Sequence, residues 1–413
     1  MNILFLELQH HNFHLQRELI KDGHKVFTNQ CSASENPQYY ESFGINVLWD
    51  AFPIYNFLKD PDPEPVLGMY SETYGVPRLK KLIEENEIDF VWCTAPHKVR
   101  LLDKIDIPKI SPTVDSIRLE TDKWYSRTLA NECGIALPNV IATGDNHLEF
   151  DGEVDQDIWV IKPKHNWHSA NINTSAASWR QFKENWLPSG VEYYVEQMVK
   201  GIETNISYIM SNGKWSFTFS EVCDESLAKH MGTPVLSWFK NTQVDNIPEW
   251  LDKRIRESVT PYLNECAKFG GQWEGSITQI LGEDDELYFI EHNCRPYVHN
   301  TFGLPMGGNE YMDAFQNDPQ KIGDCFTGRK FPKVIFQSAT LMKAQPTQIV
   351  QCPYPMHLHE KYPHVPEPTG LSYDNGVFNC SLASFIITFN DEVDINFVED
   401  MKKETGFVAK WGE

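Results

Sequence analysis

Length, composition and charge restrict the classes of protein to which this chain can belong. Its 413 residues correspond to two or three domains of about 150 residues, and 41% hydrophobic and 13% aromatic residues suffice for buried cores. The 58 acidic and 36 basic residues give a net charge of −22, which disfavours binding to nucleic acids or anionic membranes. A polyanionic ligand would therefore need local cations or a metal ion.

The cysteines and the first residues are typical of a cytoplasmic protein. Nine cysteines are scattered without a C-x-x-C pair, which indicates reduced thiols. The apolar segment 1–8 contains Glu7 and lacks a basic start, so it predicts a strand and not a signal peptide. Because no apolar run approaches about 18 residues, we expect no membrane-spanning helix.

Residues 1–110 alternate short apolar strands with amphipathic helices, which predicts a doubly wound, mostly parallel sheet. The expected strands are 2–8, 25–28, 45–49 and 88–93, and the expected helices are 12–21 and 71–86. No G-x-G-x-x-G follows the first strand, where residues 7–11 read ELQHH instead. The usual dinucleotide fingerprint is absent, which disfavours a dehydrogenase.

Residues 111–325 combine helices with two predicted hairpins. Thr121 is the expected N-cap of a helix that ends at Gly134, and the Asn212-Gly213 dipeptide predicts a hairpin between strands 204–210 and 214–221. A helix is expected over 249–269, kinked or split at Pro261. The second hairpin joins strands 273–281 and 287–293, and residues 326–413 predict a small α+β domain.

The second hairpin carries acidic side chains that could bind a metal. If Leu281 pairs with Glu286, then Glu274 faces Asn293 and Glu291 faces Ser276, which places Glu274, Glu291 and Asn293 on one face. Two carboxylates about 4 Å apart repel by about 4 kcal/mol at an effective dielectric of about 20, whereas Mg²⁺ would bind both. The alternative is an acidic hairpin that simply faces solvent, because acidic surfaces are common.

Three basic side chains are candidates for binding phosphate beside this acidic face. Arg295 follows Asn293 by two residues and is suited to holding a phosphoryl group. Lys162 ends a short buried strand, and Lys123 lies in the first turn of a helix, where a cation opposes the helix dipole. Each lysine alone could be a solvated charge, but together with the acidic face they resemble phosphate ligands on opposite walls of a cleft.

The order of these motifs resembles the ATP-grasp superfamily, and within it the phosphoribosylamine–glycine ligases most closely. The resemblance covers 111–295, nearly half the chain. Its pieces are the segment 111–138, the strand WVIK at 159–162, EQMVKGIE at 196–203, WEG at 273–275 and IEHNCR at 290–295. It implies an ATP-grasp fold of mixed α/β and α+β class, with a doubly wound domain (1–110), a two-lobed ATP-binding unit (111–325, divided near 190–200) and a C-terminal domain (326–413).

The resemblance also implies roles for individual residues. Lys123 and Lys162 would bind the phosphates of ATP, and Glu291 and Asn293 would bind Mg²⁺ or Mn²⁺. Glu196, Met198 and Glu203 would contact adenine and ribose, whereas the hairpin geometry alone suggests Glu274 as a third metal ligand. Lys162 and Arg295 would stabilise charge during catalysis.

The expected reaction is ATP-dependent ligation of a small-molecule carboxylate to an amine through an acyl phosphate. Residues 164–169 replace the glycine-rich loop that covers the phosphates in this family. Two further departures leave the acceptor open: the N-terminal glycine-rich block that holds the phosphoribosyl group is missing, and residues 296–300 read PYVHN where the ligases have G-D-P-E-T. Phosphotransfer to a small-molecule hydroxyl and non-catalytic nucleotide binding remain alternatives. Neither the substrates nor the oligomeric state follow from the sequence.

Overall fold

The structure is a computed structural model that describes most of the chain in separate segments. The described residues are 1–7, 12–29, 40–48, 72–146, 159–165, 192–222, 247–296, 304, 306–327, 334–342, 355–365, 367, 370–377, 380–389, 394–405 and 408–409. Within them the fold contains four β-sheets.

The first sheet, called the N-terminal sheet here, is parallel and has the order β3-β2-β1-β4-β5. Its strands are β1 (Asn2–Leu6), β2 (Lys25–Thr28), β3 (Asn46–Val47), β4 (Phe90–Cys93) and β5 (Lys109–Ile110). The helices of this region are α1 (Phe13–Lys21), α2 (Glu72–Glu85) and α3 (Pro96–Asp103). The predicted doubly wound, parallel arrangement is confirmed.

Helices cover both faces of this sheet, and side chains that alternate along each strand pack against them. Ile3 and Phe5 belong to the same buried cluster as Leu15 and Leu19 of α1. Leu4 and Leu6 belong to a second cluster with Leu79 of α2 and with Val99 and Leu102 of α3. The continuous apolar sequence of β1 is therefore explained by burial on two sides.

Two helices and a three-stranded antiparallel sheet follow. They are α4 (Arg118–Thr121), α5 (Lys123–Glu132), β6 (Val140–Gly144), β7 (Trp159–Pro163) and β8 (Tyr193–Gln197), with the sheet order β6-β8-β7. The N-cap of α5 is Asp122, whose carboxylate accepts a hydrogen bond from the Tyr125 amide at 2.9 Å, and not Thr121 as predicted. Thr121 is the last residue of α4, so it cannot begin the next helix.

The central sheet is antiparallel and has the order β10-β9-β11-β12. Its strands are β9 (Gly201–Ser211), β10 (Lys214–Val222), β11 (Gln272–Gly282) and β12 (Leu287–Asn293). Asn212 and Gly213 connect β9 to β10 with positive φ values of 48° and 85°, the conformation that a type I′ hairpin requires. The predicted first hairpin is therefore confirmed.

One helix, α6 (Glu249–Cys266), packs against the central sheet through Leu251, Ile255 and Val259. It runs through Pro261 without interruption and ends in a short 3₁₀ turn over 267–269, so the predicted split is wrong. The proline removes the hydrogen bond to the carbonyl of Glu257. Because the Glu257 side chain is 67% exposed, this turn faces water, which can replace the lost bond.

Among the described residues, the remaining elements are four helices and the four strands of the C-terminal sheet. They are α7 (Gly308–Asn317), α8 (Pro319–Thr327), β13 (Val334–Met342), α9 (His357–Lys361), β14 (Gly370–Val377), β15 (Cys380–Phe389), α10 (Ile395–Thr405) and β16 (Val408–Ala409). The sheet order is β14-β15-β13-β16. Of the helices described, none has the length and apolar character needed to cross a membrane.

Aromatic side chains join the N-terminal sheet to α7. The ring centroids of Trp92 on β4 and Tyr311 on α7 lie 6.3 Å apart, and Phe315 meets Trp92 edge to face at 5.0 Å. The same buried cluster includes Ile209 of β9 and Phe219 of β10. The carboxyl ends of the parallel strands and one face of the central sheet thus share a core.

The opposite face of the central sheet holds a buried imidazole between two tyrosines. The hydroxyl of Tyr262 lies 2.8 Å from Nδ1 of His292, and the hydroxyl of Tyr208 contacts Nε2. Burial lowers the pKa of His292 to about 3, so the ring is neutral and one nitrogen donates while the other accepts. These contacts fix β12 against α6.

We predict that Tyr262→Phe lowers the free energy of unfolding by about 1–3 kcal/mol, because a buried imidazole nitrogen loses its partner. Chemical denaturation measures this change. Tyr288→Phe is the matched control: its hydroxyl bonds Asp284 at the surface, so a change within about 0.5 kcal/mol is expected. Equal effects of the two substitutions would contradict the role given to His292.

Candidate active site

The register of the second hairpin differs from the predicted one by two residues. At the turn, Leu281 pairs with Leu287 and not with Glu286. Farther along, a β-bulge adds one residue, Ile290, to β12. Each difference shifts the pairing by one residue, and the shifts add.

Because the total shift is an even number, the predicted face is retained although the predicted partners are wrong. Asn293 lies opposite Ser276 and not opposite Glu274, and Glu291 lies opposite Thr278 and not opposite Ser276. We call this side of the central sheet the polar face. The bulge is required for the polar face, since the turn pairing alone would have placed Glu291 opposite Ile277, on the side that packs against α6.

Lys162 and Glu196 meet on the three-stranded sheet. Lys162 on β7 pairs with Tyr194 on β8, so Glu196, two residues later, projects from the same side. Nζ of Lys162 lies 2.5 Å from Glu196 Oε1 and donates to the carbonyl of Ile290 at 3.2 Å. Lys162 therefore bridges the three-stranded sheet and the bulge of the central sheet.

Arg127 on α5 binds the other oxygen of the same carboxylate. Its Nη1 contacts Glu196 Oε2, and its Nη2 donates to the carbonyl of Pro138. The side chains of Arg127 and Glu196 are 9% and 2% exposed. Glu196 is thus a buried carboxylate held between two cations.

Lys123 and Glu291 form the second charged contact. Nζ of Lys123 lies 3.6 Å from Glu291 Oε2, and Nδ2 of Asn293 donates to Glu291 Oε1 at 3.3 Å. Lys123 is the first residue of α5, and Arg127 lies one turn later on the same buried side. One helix therefore supplies two of the cations.

Arg295 is positioned by a buried carboxylate from α4. Its Nη1 contacts Glu120 Oε1, while Glu120 Oε2 accepts a hydrogen bond from the Cys294 amide at 2.8 Å. Burial raises the pKa of Glu120 although the nearby Arg295 charge opposes the shift. Glu120 fixes both the backbone and the side chain at the end of β12.

These neighbouring groups shift one another's pKa values. Burial alone would raise the pKa of Glu291, but the positive charges of Lys123, Lys162 and Arg295 hold it below its usual value. Burial lowers the pKa of Lys123, and the charges of Lys162 and Arg295 add to this effect while Glu291 opposes it. We define the charged cluster as Lys123, Arg127, Lys162, Arg295, Glu120, Glu196 and Glu291.

Three predicted site residues lie apart from the charged cluster. Glu274 lies on the polar face beyond Ser276, and its carboxylate accepts a hydrogen bond from the Tyr311 hydroxyl at 2.7 Å. Met198, between the two antiparallel sheets, is 41% exposed. Glu203 lies near the start of β9, opposite Ile280.

The sequence analysis missed Arg127 and Glu120. Arg127 follows Lys123 by four residues on a predicted helix, so the spacing could have placed both on one face. Nothing in the sequence pairs Glu120 with Arg295, which lies 175 residues away. Residues 166–169 and 297–300, where departures from the ligase pattern were noted, fall outside the described residues.

The donor set is suited to a hard divalent cation. Glu291 offers carboxylate oxygens, and Asn293 donates through Nδ2, so its carbonyl oxygen is available as a ligand. Across the segments described, no three His, Cys, Asp or Glu side chains form a metal-binding group. A cation at this position would need further oxygen ligands from phosphate or water.

Comparisons of the sequence with known proteins gave no match. No protein-family model matches the chain, and no curated protein matches it.

Comparisons of the fold gave many similar solved structures at low identity. The L-amino acid ligase of Bacillus licheniformis has a TM-score of 0.59 and 13% identity, over 100% of this chain and 99% of that chain. The biotin carboxylase domain of Hydrogenobacter thermophilus 2-oxoglutarate carboxylase, solved with MgADP, ADP and bicarbonate, has a TM-score of 0.51 and 12% identity, over 99% and 90%. The N5-carboxyaminoimidazole synthase of Aspergillus clavatus, solved with ADP and 5-aminoimidazole ribonucleotide, has a TM-score of 0.52 and 11% identity, over 98% of both chains.

These neighbours define the fold of the chain. It is the ATP-grasp fold, in which two antiparallel sheets follow a parallel N-terminal sheet. The charged cluster lies where these two antiparallel sheets meet, since Lys162 from one contacts Ile290 from the other.

We predict that Glu196→Gln lowers the free energy of unfolding by about 3–5 kcal/mol, because two buried cations lose their shared carboxylate. Chemical denaturation without nucleotide measures the change. The matched control is Glu265→Gln, which removes a half-exposed partner of Lys268 and should cost about 0.5 kcal/mol or less. A loss at Glu196 no larger than at Glu265 would contradict this account of the cluster.

Proposed function

We propose that the protein is an ATP- and Mg²⁺-dependent ligase that joins a small-molecule carboxylate to an amine. One observation carries the proposal: three cations meet at the end of β12, between the two antiparallel sheets. Lys123 contacts Glu291, Lys162 donates to the neighbouring carbonyl of Ile290, and Arg295 follows the strand. In a chain with a net charge of −22, this group of cations is suited to a polyphosphate.

The nucleotide would lie between the two antiparallel sheets. Lys123 and Lys162 would bind its phosphates from opposite sides, exchanging their present contacts with Glu291 and Glu196 for phosphate oxygens. The exposed thioether of Met198 is available to the adenine ring, and Glu203 would accept hydrogen bonds from the ribose.

Glu291 and Asn293 would hold Mg²⁺ or Mn²⁺. The cation would neutralise phosphate charge and so favour phosphoryl transfer. We do not include Glu274 among the metal ligands. The predicted pairing of Glu274 with Asn293 is absent, and the Glu274 carboxylate contacts Tyr311.

The proposed chemistry has two steps with balanced atoms. A carboxylate oxygen of the first substrate attacks the γ-phosphorus of ATP, so ADP leaves and an acyl phosphate forms. The second substrate's amine then attacks the acyl carbon, phosphate leaves with the bonding electrons, and the amine loses a proton. Arg295, held by Glu120, would stabilise the charge on the transferring phosphoryl group and on the leaving phosphate.

The comparisons support this reaction class through the names of the neighbours. One neighbour is an L-amino acid ligase, and another was solved with ADP and an amine-bearing ribonucleotide. The sequence motifs resemble those of phosphoribosylamine–glycine ligases, but residues 296–300 depart from that pattern where the acceptor would bind. We therefore propose ligation without the phosphoribosylamine substrate.

Product analysis tests the reaction type. With ATP, Mg²⁺ and pools of small carboxylic acids and amines, we expect ADP, free phosphate and a condensed product detectable by mass spectrometry. Release of AMP would exclude the acyl-phosphate route. Phosphate retained on a product would indicate transfer to a hydroxyl, and nucleotide binding without turnover would indicate a non-catalytic protein.

Substitution tests the metal site. Glu291→Ala and Asn293→Ala should each reduce Mg²⁺-dependent turnover by about a hundredfold or more, because charge stabilisation at the phosphates is lost. Thermal unfolding should show that both variants are folded. Glu286→Ala, at the exposed turn of the same hairpin, is the control and should retain activity. Full activity in both site variants would remove Glu291 and Asn293 from the proposal.

A further inference from the structure

A second acidic site lies where the N-terminal sheet meets the polar face. Glu7 follows β1 at the carboxyl edge of the parallel sheet, the edge at which open α/β sheets bind ligands. It is 1% exposed, and its Oε2 accepts a hydrogen bond from Gln16 at 2.7 Å. Burial raises the pKa of this carboxyl to about 8, although hydrogen bonds from Asn12 and Gln16 oppose the shift.

Glu274 approaches Glu7 from the central sheet. It is also 1% exposed, and its charge acts on the Glu7 carboxyl. Lys98 acts on Glu7 as well, but Nζ of Lys98 donates hydrogen bonds to the carbonyl and side-chain oxygens of Asn29 at 2.7 and 2.9 Å. Tyr311, which binds Glu274, stacks at 6.3 Å on Trp92 of β4, the strand next to β1. Two buried acidic side chains thus lie close together, one from each sheet.

Two buried hydroxyl groups extend this site along the polar face. Ser276 on β11 lies two residues from Glu274 and pairs directly with Ser207 on β9. Both side chains are at most 1% exposed, and neither hydroxyl oxygen has a partner within the described segments. Unsatisfied buried polar atoms are costly, so two adjacent ones indicate a ligand that completes their hydrogen bonds.

The chemistry of these groups selects a small organic cation. A primary ammonium group carries one positive charge and three N–H donors, which match carboxylate oxygens and a hydroxyl acceptor. The ligand of this site should therefore carry an ammonium group.

The strand register gives the distance from this site to the charged cluster. Glu274 lies two residues from Ser276, which faces Asn293, and four residues from Thr278, which faces Glu291. At about 3.3 Å per residue, these separations correspond to about 7 and 13 Å. An ammonium group beside Glu274 and a carboxylate beside the phosphates can therefore belong to one small molecule.

We infer that Glu7 and Glu274 bind the ammonium group of an α-amino acid, whose carboxylate is the one that is activated. This inference rests on the proposed function, since it assigns the substrate class of that site. Glu274 is then a ligand of the amino group and not of the metal.

Binding measurements test the assignment directly. The full-length chain is titrated in a calorimeter with each of the twenty proteinogenic amino acids and with the matching acids that lack the amino group, with and without Mg²⁺ and a non-hydrolysable ATP analogue. At least one amino acid should bind, and its deaminated counterpart should not. Binding of no amino acid under either condition overturns the inference.

Isosteric variants identify the residues responsible. Glu7→Gln and Glu274→Gln should each weaken binding of that amino acid by about ten- to a hundredfold, because a charge-assisted hydrogen bond is lost. Both should leave the affinity for the ATP analogue within about twofold of the wild-type value. The control is Asp89→Asn, which alters a carboxylate that accepts a hydrogen bond from the Asn2 amide at the opposite end of β1. This variant should bind the amino acid normally. Unchanged binding in both glutamine variants overturns the inference.

A magnesium titration separates the two roles considered for Glu274. If Glu274 binds the amino group, Glu274→Gln raises the KM for the amino acid and leaves the Mg²⁺ concentration for half-maximal ATP turnover unchanged. A raised Mg²⁺ requirement would overturn the inference and restore the metal role. A different result would overturn the proposed function itself: ATP would neither bind nor yield ADP. If instead ADP is released with acids that lack an amino group, the ligase proposal stands and the amino-acid site is refuted.

Discussion

One irregularity of the backbone, the β-bulge at Ile290, determines which side of the central sheet carries the chemistry. Without the extra residue, Glu291 would pair with Ile277 and point toward α6, the side on which His292 is buried in this structure. With it, Glu291 lies on the polar face, and the carbonyl of Ile290 accepts a hydrogen bond from Lys162. The bulge therefore both orients an acidic ligand and ties the two antiparallel sheets together.

Charge balance is local in this strongly acidic protein. The charged cluster contains four cations and three carboxylates, and each of the four ion pairs described above joins a cation to a carboxylate. Such pairing is necessary because isolated charges at this burial would be costly. It also means that an incoming polyphosphate competes with protein carboxylates, so a divalent cation bound at Glu291 would release Lys123 for the phosphates.

Local patterns predicted the elements of the fold, but not the details that depend on distant partners. The Asn212-Gly213 turn and the apolar runs of the first 110 residues gave the correct hairpin and parallel sheet, because these signals lie within a few residues. The hairpin register could not be predicted, since its bulge is coupled to Lys162 on another sheet. The split that the sequence allowed at Pro261 does not occur, because that turn of α6 faces water, which can replace the lost hydrogen bond.

The two cations on Glu196 differ in what they can do next. Lys162 lies on β7, an edge strand of the three-stranded sheet, and its ammonium group also donates to the carbonyl of Ile290. Arg127 is held twice, by Glu196 and by the carbonyl of Pro138. When Lys162 turns to another anion, Arg127 still neutralises the carboxylate left behind. The arginine acts as a permanent counter-ion, so the lysine can exchange partners without leaving Glu196 as an unpaired buried charge.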